Sequence, residues 1–187
     1  MGHHPAPPIE YEGGYWSEYR ERDASEMGQA LTKARCDLVN RHAAGHWVVD
    51  IGIGGGRFVE EHSAWGFDVN QEAVGWLKER GRYFDPYNDD SAPFAITCWD
   101  SLEHIPDPEA LVARAEQWVF VSMPVYESAE ACIRSRHYKP GEHIWYWSHH
   151  GLLDWFKRQG FVCVEHNTME SLLGREGIHS YAFRRAA

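Results

Sequence analysis

The sequence predicts an α/β fold: a doubly wound sheet of seven strands, mostly parallel with an antiparallel last strand, and helices on both faces. Three observations predict it. Short apolar runs alternate with helical stretches from residue 25 onward, the pattern of strands joined by crossover helices. The run Val48-Val49-Asp50-Ile51 ends in Gly52-Ile53-Gly54-Gly55-Gly56, which reads as a buried parallel strand entering a tight turn that opens a helix. The last two apolar runs, 161–164 and 178–183, leave no room for a full helix between them, so the final strand turns back on its neighbour.

Each element follows from its residues. Residues 1–10, with Pro5, Pro7 and Pro8, read as a flexible arm. From Ser25 to about Ala43, the residues Met27, Ala30, Leu31, Ala34 and Leu38 form one helical stripe, with Asp23 and Glu26 as a capping box. The first strand covers about Trp47 to Ile51, and a helix follows from about Arg57 to His62. Gly66-Phe67-Asp68-Val69 is the second strand, and Asn70 caps a helix carrying Val74, Trp76 and Leu77. Arg82-Tyr83-Phe84 is the candidate third strand, ahead of the turn-rich 85–90. Phe94 to Trp99 is the fourth strand. Pro106-Asp107-Pro108 opens a helix to about Gln117, and Val119 to Ser122 is the next strand. His150 to Gln159 is helical and stops at Gly160. The segment 125–147 is long for a loop in a compact domain and is expected to be a functional lid.

Composition narrows the class. At 187 residues, 43% hydrophobic and 25% charged, the chain fits one globular domain. No apolar run approaches the ~20 residues of a membrane span, and residues 1–5 lack the basic-then-apolar pattern of a signal peptide. Cys36, Cys98, Cys132 and Cys163 form no C-x-x-C pair, so neither a zinc ribbon nor a thioredoxin-type site is indicated, and reduced thiols in a cytoplasm are expected. A net charge of −10 argues against nucleic acid as a partner. Nothing in the sequence fixes an oligomeric state.

The glycine turn selects a ligand class. A dinucleotide fingerprint places a third glycine three residues after the second, to pack helix on strand. Counted from Gly52, that position is Arg57, and the match fails. The pattern D-x-G-x-G-x-G is complete in Asp50, Gly52, Gly54 and Gly56. Asp68 ends the next strand, where a carboxylate can accept from both hydroxyls of a ribose. After the fourth strand comes Asp100-Ser101-Leu102-Glu103-His104-Ile105-Pro106-Asp107-Pro108. This D-x-L-E-H-x-P-D-P segment, the glycine turn, the G-x-D strand end and a late His-x-aromatic before a helix ending in Gln-Gly-Phe together resemble the class I S-adenosylmethionine (SAM)-dependent methyltransferases. Within that class the chain resembles the ubiquinone-biosynthesis O-methyltransferases and their small-molecule relatives. The resemblance covers nearly the whole domain.

The resemblance implies a Rossmann-like sheet, SAM as cofactor with S-adenosylhomocysteine as product, and a small-molecule methyl acceptor. It divides the chain into a covering N-terminal segment, 1–24, and a methyltransferase domain, 25–187, with an acceptor insert at 125–147. Asp50 would lie under the cofactor's methionine end, cradled by the backbone of Gly52, Ile53, Gly54 and Gly56. Asp68 would bind the ribose, Val69 would pack on the adenine and Asp85 would accept from its amino group. Trp99 and Asp100 would line the methionine ammonium, and Arg35 would pair with the methionine carboxylate. Tyr15 and Trp16, with Tyr19, resemble the aromatic segment that folds over the cofactor.

Acceptor chemistry falls to the histidines. His104, with an ordinary pKa of ~6.5, and His143 are candidate bases. Tyr15, Trp16, His137, Tyr138, His143 and Tyr146 are candidate acceptor contacts. Asp100, Glu103 and His104 share one face at i, i+3 and i+4. They are the candidate ligands should magnesium bind, against a structural turn with no metal, which is the expectation adopted. Two alternatives stay open: a nucleobase or nucleic-acid methyltransferase, and a SAM-binding domain without turnover. The absence of an Asp/Asn-Pro-Pro-Tyr motif opposes the first, since Ser122-Met123-Pro124-Val125 stands after the fifth strand.

Overall fold

The computed structural model describes residues 2–3 and 14–187; the rest of the expected arm lies outside the described residues. In chain order the elements are β1 (Gly2–His3), α1 (Tyr15–Ala24), α2 (Glu26–Ala43), β2 (Val48–Ile51), α3 (Arg57–His62), β3 (Trp65–Phe67), α4 (Gln71–Glu79) and β4 (Ala95–Trp99). A single 3₁₀ turn, Leu102–His104, leads to α5 (Pro108–Ala113), β5 (Trp118–Pro124), α6 (Ala129–Arg134), β6 (Trp145–Tyr146), α7 (His149–Arg158), β7 (Phe161–Asn167), α8 (Met169–Leu172) and β8 (Ile178–Arg185).

The main sheet has the order β3-β2-β4-β5-β8-β7. β3, β2, β4 and β5 are parallel, and β8 runs antiparallel to both β5 and β7. Six strands form it rather than seven. Arg82–Phe84 contributes one parallel bridge, Gly66 to Tyr83. The next residue, Asp85, already donates its N–H to Asp89 Oδ2, and Pro86 has none to give, so the ladder stops there.

Side-chain alternation gives the sheet two buried faces. Val49, Ile51, Ile96, Val119 and Val121 pack with Leu111, Trp155 and Phe156 of α5 and α7. Val48, Ala95, Trp99, Trp118 and Phe120 pack against Leu38, Val39 and Ala43 of α2 and Phe58 of α3. Toward the carboxyl ends of the strands the α2 side turns polar: Asp50, Thr97, Ser122 and Ser180 are all buried there. Such groups need partners, and this stripe positions the site.

Caps mark most helix starts. Ser25 Oγ accepts from Gly28 N and begins α2, in place of the Asp23–Glu26 box. Asn70 caps α4 and Asp107 caps α5. α5 ends four residues earlier than the expected Gln117, because the N–H groups of Glu116 and Gln117 bond Pro93 and Phe94 carbonyls and turn the chain into β5. The segment 125–147 is partly built structure. A parallel bridge between Val125 and Trp147 closes its base, α6 lies inside it, and β6 pairs antiparallel with β1. Tyr126, Cys132 and Tyr146, with Tyr138 against them, form a small core of its own.

Candidate functional site

The turn after β2 is held in a shape that only glycine tolerates well. Gly52, Gly54 and Gly56 have φ of 75°, 54° and 81°. A Cβ on Gly52 would sit 2.9 Å from that of Ser101, and one on Gly56 would sit 2.8 Å from the Trp76 ring. Asp68 straps the turn to the end of β3: its Oδ2 accepts from Ile53 N at 2.9 Å and its Oδ1 from Asn70 N at 2.8 Å. Burial raises the Asp68 carboxyl above its ordinary value, against those backbone bonds. Next to it Val69 is 61% exposed. Ile53 turns its side chain into the core with Val59, Ala73 and Leu77, so only its backbone serves the turn. Asp50 is buried and accepts from the Thr97 hydroxyl at 2.6 Å; burial pushes its carboxyl up to about 7.

α1 roofs this turn. Arg20 donates to the Gly55 carbonyl at 3.0 Å, and Asp23 accepts from Arg57 N at 3.3 Å. The Tyr19 ring lies 3.2 Å from where a Gly54 Cβ would be. Trp16 packs on Trp76, and Tyr15 on Tyr19.

Arg35 does not stand open as a single carboxylate clamp. Its Nε and Nη2 grip Glu170 at 2.7 and 2.9 Å, and Nη2 also reaches Asp100 at 3.0 Å. Arg175 bonds Asp100 at 2.6 and 2.9 Å and Glu170 at 2.6 Å. The Ser122 hydroxyl donates to Glu170 at 2.7 Å. Burial alone would raise the Asp100 carboxyl, but the guanidiniums of Arg175 and Arg35 hold it below the usual carboxylate range. Its backbone is left-handed, φ 55°, with its N–H on the Ser122 carbonyl. The Arg35 guanidinium also lies over the Trp99 ring. Sequence reasoning missed Glu170, Arg175 and Ser122: they belong to no motif, and Glu170 lies 135 residues from Arg35.

The acceptor candidates divide. The 3₁₀ turn meets the end of the insert where Ile144 N donates to the Glu103 carbonyl at 2.8 Å, and Trp145 Nε1 donates to the Ile105 carbonyl at 2.8 Å. This brings Glu103, His104 and His143 together, one ligating atom of each within 4.8 Å of the others. His104 Nδ1 donates to the Glu142 carbonyl at 3.0 Å, which leaves Nε2 with its lone pair. Burial, then the neighbouring His104 and Lys139, push His143 down to about 4; burial also lowers His104. Burial and Asp100 push the Glu103 carboxyl up to about 8, and its Oε2 has no hydrogen-bond partner among the described residues. Tyr146 and Tyr138 adjoin this group, with ring centroids 6.0 Å from His143 to Tyr146 and 5.3 Å from Tyr146 to Tyr138. His137 does not join; its Nε2 bonds the Glu176 carbonyl. Asp85 folds into its own turn, accepting from Tyr87 N and Asn88 Nδ2.

The magnesium set Asp100–Glu103–His104 is not assembled. Two arginines hold Asp100, and His143 takes the third place. One carboxylate and two imidazoles do not offer the oxygen-rich shell that magnesium requires.

A family model described as a methyltransferase domain matches residues 18–166. The chain belongs to that family. The methyltransferase-domain match begins within the roofing helix, after Tyr15 and Trp16, and takes in the glycine turn, the Glu103–His104–His143 group and most of β7. The chain is 35% identical over 109 residues to a ubiquinone biosynthesis O-methyltransferase of Aromatoleum aromaticum, covering 48% of this chain and 47% of that protein. It therefore spans about half the length of the curated relative it matches. Among solved structures, the magnesium protoporphyrin IX methyltransferase ChlM of Synechocystis, with bound S-adenosylhomocysteine (SAH), is similar at TM-score 0.60 and 12% identity, over 95% of this chain and 90% of that one. The [4+2]-cyclase SpnF is similar at TM-score 0.64 and 14% identity, over 100% of both chains. At such identities the likeness is one of fold. Among the described residues, no helix is long and apolar enough to cross a membrane.

Proposed function

We propose that this methyltransferase domain transfers a methyl group from SAM to a small-molecule acceptor, at oxygen or else at nitrogen or carbon. The observation that carries the reading is the glycine turn strapped by Asp68 at the carboxyl end of the sheet, inside a matched methyltransferase domain. Two of the named relatives support it: one is an O-methyltransferase, and one is a methyltransferase holding SAH. Bound SAM supplies an electrophilic methyl on a sulfonium, displaced in line to leave a neutral thioether. The chain's task is then to align, to exclude water and to manage one proton.

The residues suit that task. Asp68 spends one acceptor site per oxygen on backbone N–H groups and keeps others for two ribose hydroxyls. Val69 offers an exposed apolar face to the adenine. Arg35 would take the methionine carboxylate through Nη1, the nitrogen Glu170 and Asp100 do not use, and the backbone at Trp99 and Asp100 would face the ammonium. Asp85 would reach the adenine only if its own turn opened. Tyr15 and Trp16 act here as part of the roof. His104 Nε2 accepts the acceptor's proton, with His143, Tyr138 and Tyr146 walling the acceptor side; His137 pins the insert. A net charge of −10 favours a small molecule over nucleic acid. Four free cysteines suit a reducing cytoplasm.

SAM or SAH is expected to raise the melting temperature of the purified chain, and NAD to leave it unchanged; a shift with NAD alone refutes the reading. Gly54→Asp should abolish the SAM shift. Labelled SAM with fractionated metabolites then identifies the acceptor, and binding without transfer to any fraction would leave a domain that binds SAM and does not turn over.

A further inference from the structure

Away from the glycine turn, three histidines from three elements converge. His149 is the first residue of α7, His166 lies on β7 and His179 on β8. The register explains the meeting. His166 is directly opposite Tyr181, and His179 precedes Tyr181 by two positions, so all three rings share one face of the sheet. The start of α7 lies over that face: the His149 ring is 4.6 Å from that of His166 and 5.7 Å from that of Tyr181, centroid to centroid. One ligating nitrogen from each histidine lies within 4.8 Å of the other two. His166 Nε2 and His179 Nδ1 face each other at 2.9 Å, and the Tyr181 hydroxyl orients His149 through Nδ1 at 2.9 Å.

We propose that His149, His166 and His179 form a binding site for a divalent transition-metal ion of the zinc type, with its remaining position open to solvent beside His166. Imidazole nitrogens suit such a cation, and three of them with an open position are a recurrent zinc donor set. The two facing nitrogens share one proton between them. When a cation takes their lone pairs, that proton moves to the other nitrogen of the ring that carries it, so three neutral imidazoles ligate and no net proton is released. Burial first, then repulsion from His149, lowers both His166 and His179, the direction that favours the uncharged ring. A bound ion would tie the start of α7, where the 125–147 insert ends, to the two terminal strands.

The test is a zinc titration of the full chain after chelator treatment, followed calorimetrically and with a chromophoric competitor. Three proteins are compared: wild type, His166→Ala/His179→Ala and His104→Ala/His143→Ala. The wild type should bind zinc, the first variant should lose one equivalent, and the second should retain it. Saturating zinc should raise the melting temperature of the wild type and of the His104/His143 variant only. A wild type that binds no zinc, or an unchanged stoichiometry in the His166/His179 variant, overturns the proposal. Should the alanine pair fold poorly, His166→Gln/His179→Gln keeps the side-chain bulk and must show the same loss. The SAM-induced thermal shift should persist in both His166/His179 variants, which separates this site from the cofactor reading.

Discussion

The glycine turn and the acidic–histidine region beyond β4 lie at the same end of the sheet and are made of different material. The turn is backbone: three left-handed glycines, one strapping carboxylate and amides whose direction the chain itself fixes. The other region is side chains. Arg35, Asp100, Glu170 and Arg175 meet from α2, the end of β4, α8 and the loop before β8, while Glu103, His104 and His143 meet from the 3₁₀ turn and the insert. A backbone site is specified locally and tolerates change around it. A side-chain site depends on every distant element that supplies it, and a charge left behind there is reached by water only in part.

The largest way to separate the two regions is His104→Ala. Methyl transfer should fall by about 10²–10⁴-fold, the usual worth of a positioned proton acceptor, while the SAM-induced melting shift stays as in wild type. An equal loss of SAM binding would mean that the regions are not separable. Next is Glu170→Ala. Removing a carboxylate that is 1% exposed leaves Arg35 and Arg175 sharing Asp100 alone, at an expected cost of about 3–5 kcal/mol in urea unfolding. A loss below about 1 kcal/mol would show that the network is solvated. The smallest concerns the turn itself. The folded state holds the Asp50 proton up to about 7, above its ordinary 3.8. Folded protein therefore binds more protons than unfolded between those values, so stability falls as pH rises through that window and levels off above it. Asp50→Asn should flatten that slope and make the apo protein more stable at pH 8, by on the order of a few kcal/mol at most. Thermal unfolding from pH 4 to 8 reads it directly.

This contrast also explains what the amino-acid sequence discloses. α2, β2 and α3 match their expected spans within a residue or two, and α4 starts at its expected Asn70 cap, because periodicity, caps and glycines are local signals. The same locality made Asp50, Gly52, Gly54 and Asp68 readable as one turn. The third strand faded because Asp85 and Pro86 end its ladder at one bridge. α8, of four residues, is too short for a periodic signature, and α6, though as long as α3, follows no glycine turn that would announce it. The pairing of Arg35 with Glu170, and the replacement of Asp100 by His143 beside Glu103 and His104, follow from the return of β8 and the packing of the insert, which no residue spacing encodes.

None of the ten residues of α1 is buried, and the helix sits over the turn on a few contacts from Trp16, Tyr19, Arg20 and Asp23. Local opening there costs far less than opening the sheet beneath. The helix is therefore the part of this end of the molecule that opens most readily. Amide hydrogens of residues 15–24 should exchange with solvent ahead of those in β2 and β4, an order that hydrogen–deuterium exchange reads directly.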